Sequence, residues 1–232
     1  MKPFTLSRRR VLLILANYFA GYLFVYPMLI GLLYSLLEPL GVKNLQAILE
    51  NAVYLWVFAI TVTAAWPLLK EHLQRFRRNR RNIIKSSLTR YVQMWLIMYG
   101  LNLAIILITG LSSSQNQDTV VQQLTQSPLQ IVLVTCVFAP IVEETVFRGA
   151  VFATLRNCTS FRNAAWVSGF LFGLLHVFTS LLSGNLSDGI FILVYGTMGY
   201  LLCAAEEENQ TLISPLFMHG LNNLISVVLI LL

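Results

Sequence analysis

An all-α polytopic membrane bundle of about seven transmembrane helices is the fold class that three features of the sequence predict. Of the 232 residues, 56% are hydrophobic and only 11% are charged, against about 45–50% and about 25% in soluble domains. Mean hydropathy is +0.69. The apolar residues gather in runs close to the ~20 residues that a helix needs to cross the hydrocarbon core. A chain with so little charge cannot coat a soluble globule. That excludes an ordinary cytosolic enzyme, a disordered tail and a nucleic-acid-binding module.

The first apolar run covers 11–37 and follows Lys2, Arg8, Arg9 and Arg10. It is too long for the apolar core of a signal peptide and reads as a retained first helix, with Pro27 as a kink point. Segment 38–50 is amphipathic (Leu40, Val42, Leu45, Ile48, Leu49) and is predicted to lie on the membrane surface. Six further spans follow at 51–69, 91–111, 128–147, 164–182, 189–205 and 211–232. Segment 112–127 is rich in Ser, Gln and Asn and reads as an exposed extracytoplasmic loop. No internal repeat is visible. The chain reads as one membrane domain, 1–232, in which 1–127 carries no motif and 128–232 carries the chemistry.

Charge sets the expected topology. With the N-terminus in the cytoplasm, the inner segments are 1–10, 70–90, 148–163 and 205–210. Every Lys and Arg except Lys43 falls in the first three of these, and segments 112–127 and 183–188 contain none. That asymmetry is the positive-inside pattern. The basic run 70–90 is expected to be a solvated cytoplasmic loop that orients the protein, with weak attraction to anionic lipid. Cys136, Cys158 and Cys203 form no CxxC pair and read as small packing residues.

Ionisable groups inside apolar spans are costly and mark function. Glu143 and Glu144 are the acidic residues within a predicted span, and His176 and His219 the histidines; His72 falls in the basic run. Counted from the inner ends of their spans at 1.5 Å per residue, Glu143, His176 and His219 lie at depths of roughly 6, 18 and 12 Å. Glu144 and Arg148 are i,i+4 and can pair on one helix face. Glu143 points about 100° away. Phe172 and His176 are i,i+4, as are His219 and Asn223. Two adjacent hydrogen-bond donors aimed into a cavity suit an oxyanion hole. A carboxylate beside an imidazole can hold and deprotonate a water. Together these residues suit hydrolysis of an amide bond inside the membrane.

Glu143-Glu144-Thr145-Val146-Phe147-Arg148 matches EExxxR, Phe172-Gly173-Leu174-Leu175-His176 matches FxxxH, and His219-Gly220-Leu221-Asn222-Asn223 matches HxxxN. In this order and spacing the chain resembles the CPBP family of intramembrane proteases, which includes CAAX prenyl endopeptidases and the bacterial Abi proteins of bacteriocin processing and immunity. The resemblance covers about 128–230. It implies that Glu143 is the general base, that His176 helps to bind the water, and that His219 and Asn223 stabilise the oxyanion. Glu144 and Arg148 are then supporting residues, with Phe172 beside them. It further implies a glutamate protease with no required metal or other cofactor.

The implied partners are the lipid bilayer and a peptide or membrane-protein substrate. Prenylated C-terminal peptides, bacteriocin or pheromone precursors and other membrane proteins are the candidates. The expected location is a bacterial cell membrane, with the active site facing the cytoplasm. Three other readings stay open. The polar residues can serve only as interhelical hydrogen-bond glue in a non-enzymatic immunity or scaffold protein. Two Glu and two His can ligate zinc. Glu and His chains can relay protons, although no repeated half supports a transporter. Gly149, Gly169, Gly173, Gly196, Gly199 and Gly220 read as close-packing positions, with Gly173 and Gly220 also able to leave room for substrate backbone. Pro140 predicts a kinked or widened helix three residues before Glu143.

Overall fold

The computed structural model describes residues 5–232; Lys2 lies outside them. Among the described residues all regular structure is helical. Among these same residues, seven helices are long and apolar enough to cross a membrane: α1 (Arg8–Leu40), α2 (Leu45–Arg78), α3 (Arg80–Thr109), α5 (Pro128–Cys158), α6 (Phe161–Leu182), α7 (Leu186–Asn209) and α8 (Ile213–Leu231). Between α3 and α5 lies a short helix, α4 (Gln115–Gln126), whose first turn is capped by Ser114 Oγ accepting from Gln117 N at 3.2 Å. Large apolar side chains such as Met28, Leu36, Leu107 and Ile108 are exposed on the outer helices, as lipid-facing residues must be. The chain is an integral membrane protein.

The spans run further than the apolar runs alone. The expected loop 70–90 is helical on both sides of a turn at Asn79. Lys and Arg are good helix formers, and their long stems let a helix continue past the bilayer. The expected surface segment 38–50 is mostly helix as well: α2 begins at Leu45, and the turn shrinks to the stretch between Gly41 and Asn44, both with positive φ. α5 continues to Cys158, so Arg148 is not a loop cation but a fully buried residue in mid-helix. His72 is likewise in α2, buried, where its Nδ1 accepts from Leu212 N at 2.7 Å and anchors the α7–α8 turn.

The charge pattern nevertheless divides the bundle into two ends. At the basic end, Arg156 pairs with Glu207 at 2.9 Å and Arg90 with Glu208 at 2.5 Å, so the acidic triplet on α7 lies with the cations. At the opposite end the segments without Lys or Arg meet: Gln115 N donates to Asp188 Oδ1 at 2.9 Å, and Asp188 also accepts from Ser180 Oγ.

Two prolines leave marks on their helices. Proline lacks the N–H that would bond the preceding turn, and its ring crowds that turn. Residues Ala16–Val25 of α1 are π-helical just before Pro27, and Val134–Phe138 of α5 just before Pro140. A second π-helical stretch, Thr145–Phe152, follows Glu144 directly. The widening foreseen at Pro140 is therefore present on the N-terminal side of the motif, and π-turns of this kind occur often at functional sites.

α6 and α7 touch backbone to backbone. A Cβ at Gly169 would lie 2.7 Å from Gly196 O, and one at Gly173 would lie 2.8 Å from Gly196 N. Small residues permit such approach in membrane bundles, where packing rather than hydrophobic exclusion drives association. Gly100 of α3 has nothing within 4 Å. Gly169→Ala should therefore lose about 1–3 kcal/mol through overpacking. Gly100→Ala should hold or gain up to about 1 kcal/mol from helix propensity. Thermal unfolding of both variants in detergent checks this; equal midpoints would refute the close-packed seam.

Candidate active site

The α5–α6 hairpin sets the level of the site. Only Thr159 and Ser160 separate the two helices, and Ser160 Oγ caps α6 by accepting from Asn163 N at 3.2 Å. Glu143 lies fifteen residues before Cys158, and His176 fifteen residues after Phe161. Both are thus roughly 22 Å from the turn at 1.5 Å per residue, deeper than the sequence estimates for either. The shortfall for Glu143 came from ending α5 too early. His219 enters from α8, whose starting turn is itself buried at Thr211, Leu212 and Ser214.

Three side chains converge. Glu143 Oε2 lies 4.0 Å from His176 Nε2 and 4.0 Å from His219 Nε2. Each ring is oriented through its other nitrogen. His176 Nδ1 lies 2.8 Å from Phe172 O; a carbonyl can only accept, so this nitrogen carries a proton. His219 Nδ1 lies 2.7 Å from Glu144 Oε1, again an acceptor. Both rings therefore turn Nε2 toward Glu143, whose buried Oε2 makes no hydrogen bond to protein.

The second carboxylate is engaged differently. Glu144 Oε1 also accepts from Arg148 Nη1 at 3.1 Å, and both side chains are buried to within 1%. Arg148 Nη2 donates to Gly199 O at 2.9 Å, and its guanidinium carbon sits 4.6 Å from the centre of the Phe172 ring. The pairing read from the i,i+4 spacing is present. The spacing did not show that Glu144 also holds His219.

Asn223 is placed with the others but is partly committed. It lines the same cavity as Glu143, His176 and His219, and its Nδ2 donates to Thr135 O at 2.9 Å. In the π-helical register, where Ala139 N bonds Val134 O, the partner of Thr135 O would be the nitrogen of residue 140. That residue is proline and has no N–H. Asn223 supplies the missing donor, and its second amide N–H stays free. Asn222 lines the cavity too.

The cavity encloses about 580 Å³ and draws its walls from more than the motif region. Tyr22 of α1, Tyr54 of α2 and Tyr91, Trp95 and Asn102 of α3 line it, although 1–127 showed no motif. Tyr195 of α7 stacks on His176, with ring centres 4.4 Å apart and planes at 21°. Its hydroxyl meets Ser114 Oγ at 2.7 Å and accepts from Asn116 Nδ2 at 3.3 Å. Nothing in the spacing of single residues pointed to Tyr195. Ser112, Ser113, Asn116, Gln117 and Gln123 also line the cavity, so it reaches the end of the bundle that lacks Lys and Arg. Tyr91, one residue from Arg90, lines it as well, so the cavity spans from beside the basic end to the segment without Lys or Arg.

Among the described residues, no group of three or more His, Cys, Asp or Glu is arranged to hold a metal ion. Glu143 Oε2 stands 4.0 Å from Nε2 of His176 and of His219, more than the roughly 3.4 Å between tetrahedral ligands at zinc distances.

Residues 125–225 match the family model for Rce1-like proteins, type II CAAX prenyl endopeptidases. A Bacillus subtilis (strain 168) protein named "Putative membrane peptidase YdiL" is 27% identical over 116 residues, which is 50% of this chain and 43% of that protein. The chain thus matches less than half the length of this relative. No solved structure matches. With the three motifs in order, these similarities support the CPBP family for the C-terminal half of the chain.

The two carboxylates should separate by stability. Glu144→Ala and Arg148→Ala each strand a buried charge, at about 3–5 kcal/mol, and should sharply lower the amount of folded protein. Glu143→Gln removes a carboxylate whose Oε2 has no hydrogen-bond partner and should leave abundance and melting temperature near wild type. Quantifying the three variants in purified membranes checks this; a well-folded Arg148→Ala would overturn the structural role.

Proposed function

We propose that the protein is an intramembrane endopeptidase that hydrolyses a peptide bond of a membrane-associated peptide or protein. The observation that carries this reading is the meeting of two imidazole Nε2 atoms and one carboxylate oxygen at equal 4.0 Å separations. A water within hydrogen-bond reach of all three can give a proton to Glu143 as its oxygen attacks the substrate carbonyl carbon. Glu143 then returns that proton to the leaving nitrogen, so no covalent enzyme intermediate is needed. His176 orients the water. The free N–H of Asn223 is the donor available to the oxyanion. His219 can donate there from Nε2 only as an imidazolium, because its Nδ1–H is already given to Glu144; Glu144 is then its counter-ion. The family match and the Bacillus subtilis relative support a membrane peptidase in general. The prenylated, bacteriocin-type and other membrane substrates remain the candidates.

The test compares new peptide termini in cells that make the wild-type chain or Glu143→Gln. Loss of a general base should slow cleavage about 10²–10⁴-fold. Equal cleavage, or an unchanged cellular phenotype in the variant, favours the non-enzymatic immunity or scaffold reading. With the cleaved peptide in hand, activity of the purified protein should survive dialysis against EDTA. Loss under EDTA with recovery on added zinc would establish the metalloprotease alternative.

A further inference from the structure

We propose that Tyr195 of α7 is a positioning residue: its ring fixes the plane of the His176 imidazole, and with it the point at which Nε2 meets the water beside Glu143. The proposal rests on the peptidase reading above.

The two imidazoles at Glu143 are held in unequal ways. His219 is braced from another helix by a carboxylate, Glu144 Oε1 at 2.7 Å. His176 makes a hydrogen bond through Nδ1 to the Phe172 carbonyl of its own helix, at 2.8 Å. One hydrogen bond sets a distance along one line and tolerates a range of angles, so the ring can still pivot about it. A contact across the ring face removes that freedom. Tyr195 supplies such a contact, with ring centres 4.4 Å apart and planes at 21°. The Phe172 ring also lies beside His176, at 4.5 Å, but is tilted by 44°.

Tyr195 can hold another ring because it is fixed at both ends. At its backbone, Gly173 and Gly196 bring α6 and α7 together: a Cβ at Gly173 would lie 2.8 Å from Gly196 N. His176 follows Gly173 by three residues, and Tyr195 directly precedes Gly196, so this approach seats one ring on the other. At its far end the phenol meets Ser114 Oγ at 2.7 Å and accepts from Asn116 Nδ2 at 3.3 Å. That anchor is itself tied down. Ser114 is buried and caps α4, Gln115 N donates to Asp188 Oδ1 at 2.9 Å, and Gln117 Nε2 donates to Ser226 Oγ of α8 at 3.2 Å. The start of α4, which carries no motif residue, is thereby connected to the reacting centre through one aromatic ring.

A residue that only docks α4 and a residue that aims His176 differ in what their loss does to that imidazole. Tyr195→Phe keeps the planar face and loses the hydroxyl contacts; Tyr195→Leu loses both. The chain has three histidines, so ¹⁵N-histidine labelling of the purified full-length protein in detergent gives few signals, and His176→Gln identifies that of His176. Wild type and Tyr195→Phe should show His176 as one tautomer, with the proton on Nδ1, and Tyr195→Leu should show both tautomers. A single tautomer in Tyr195→Leu overturns the proposal. Tyr195→Met, which fills the space with a flexible chain, is read alongside. Failure of both Leu and Met variants to accumulate while Tyr195→Phe does so would make Tyr195 a packing residue and also overturn it.

Cleavage kinetics give the second readout. Tyr195→Leu should lower kcat about 10²-fold, the scale of a misplacement of about 1 Å, while Tyr195→Phe stays within about tenfold of wild type. Tyr195 lines the cavity, so a raised KM with unchanged kcat would make it a substrate contact and overturn the positioning role. Added to His176→Ala, Tyr195→Leu should slow cleavage no further; a second full loss would show that it acts independently of His176. If Tyr195→Leu mixes the tautomers but Glu143→Gln cleaves as well as wild type, the positioning of the ring stands and the peptidase reading fails.

Discussion

One buried carboxylate organises this protein. Glu144 accepts from Arg148 on its own helix and from His219 on α8. Arg148 in turn reaches Gly199 O on α7 and covers the Phe172 ring on α6. A single ion pair therefore fixes four helices relative to one another. Burying two charges costs desolvation that their attraction does not always repay, and an apolar pair of similar volume is often as stable. What an apolar pair would not do is set the His219 ring so that Nε2 faces Glu143. The glycine seam is part of the same arrangement. A Cβ at Gly199 would lie 2.8 Å from Gly169 Cα; the close α6–α7 approach brings the Gly199 carbonyl within reach of Arg148 and Tyr195 against His176.

Proline and asparagine form the second constraint. Pro140 removes an N–H that the preceding turn needs, and α5 responds by widening into a π-turn. An orphaned backbone carbonyl inside a bilayer costs several kcal/mol, because no solvent can satisfy it. Asn223 meets that need for Thr135 O, and in doing so pins α8 to α5 beside the site. The pairing read from the i,i+4 spacing of His219 and Asn223 is thus a shared face with two different engagements. One member is held by a carboxylate, the other by a backbone carbonyl.

The number of spans, their order and the polar positions that converge on one cavity were legible in the sequence, because each rests on a local rule. Hydropathy reports crossing length, and the i,i+4 spacing of Glu144 and Arg148 reports one helix face. Charge asymmetry separated the two ends of the bundle even though Arg148 is a buried partner and not a loop cation. Helix ends were misread where cationic residues prolong a helix beyond the bilayer, as on both sides of Asn79. Contacts between distant elements left no trace in spacing. Tyr195 on His176, Gln117 on Ser226 and the walls supplied by Tyr22 and Tyr54 follow from packing that only the folded chain displays. The part that 112–127 plays in the cavity was missed for the same reason, since it reads as a plain polar loop until its Ser and Gln side chains are seen lining the site.

Interhelical glue is the simplest explanation of polar residues in a membrane bundle, and here it explains some of them and not others. Glu144 has two partners. Arg148 has two, and a ring beneath its guanidinium. Asn223 repairs a broken helix turn. Each of these would be retained by stability alone. Glu143 and His176 are different. Neither ties its helix to another by a direct hydrogen bond: His176 spends its Nδ1–H on its own helix, and Glu143 Oε2 faces two nitrogens that stand too far away to bond it. Stability would favour replacing a buried carboxylate held so loosely, since its desolvation is not offset. One residue away, Glu144 holds both Arg148 and His219 through Oε1, and on the proposed reading Glu143 is the reactive group beside that scaffold. On the proposed reading, chemistry and not cohesion accounts for the difference between the two glutamates.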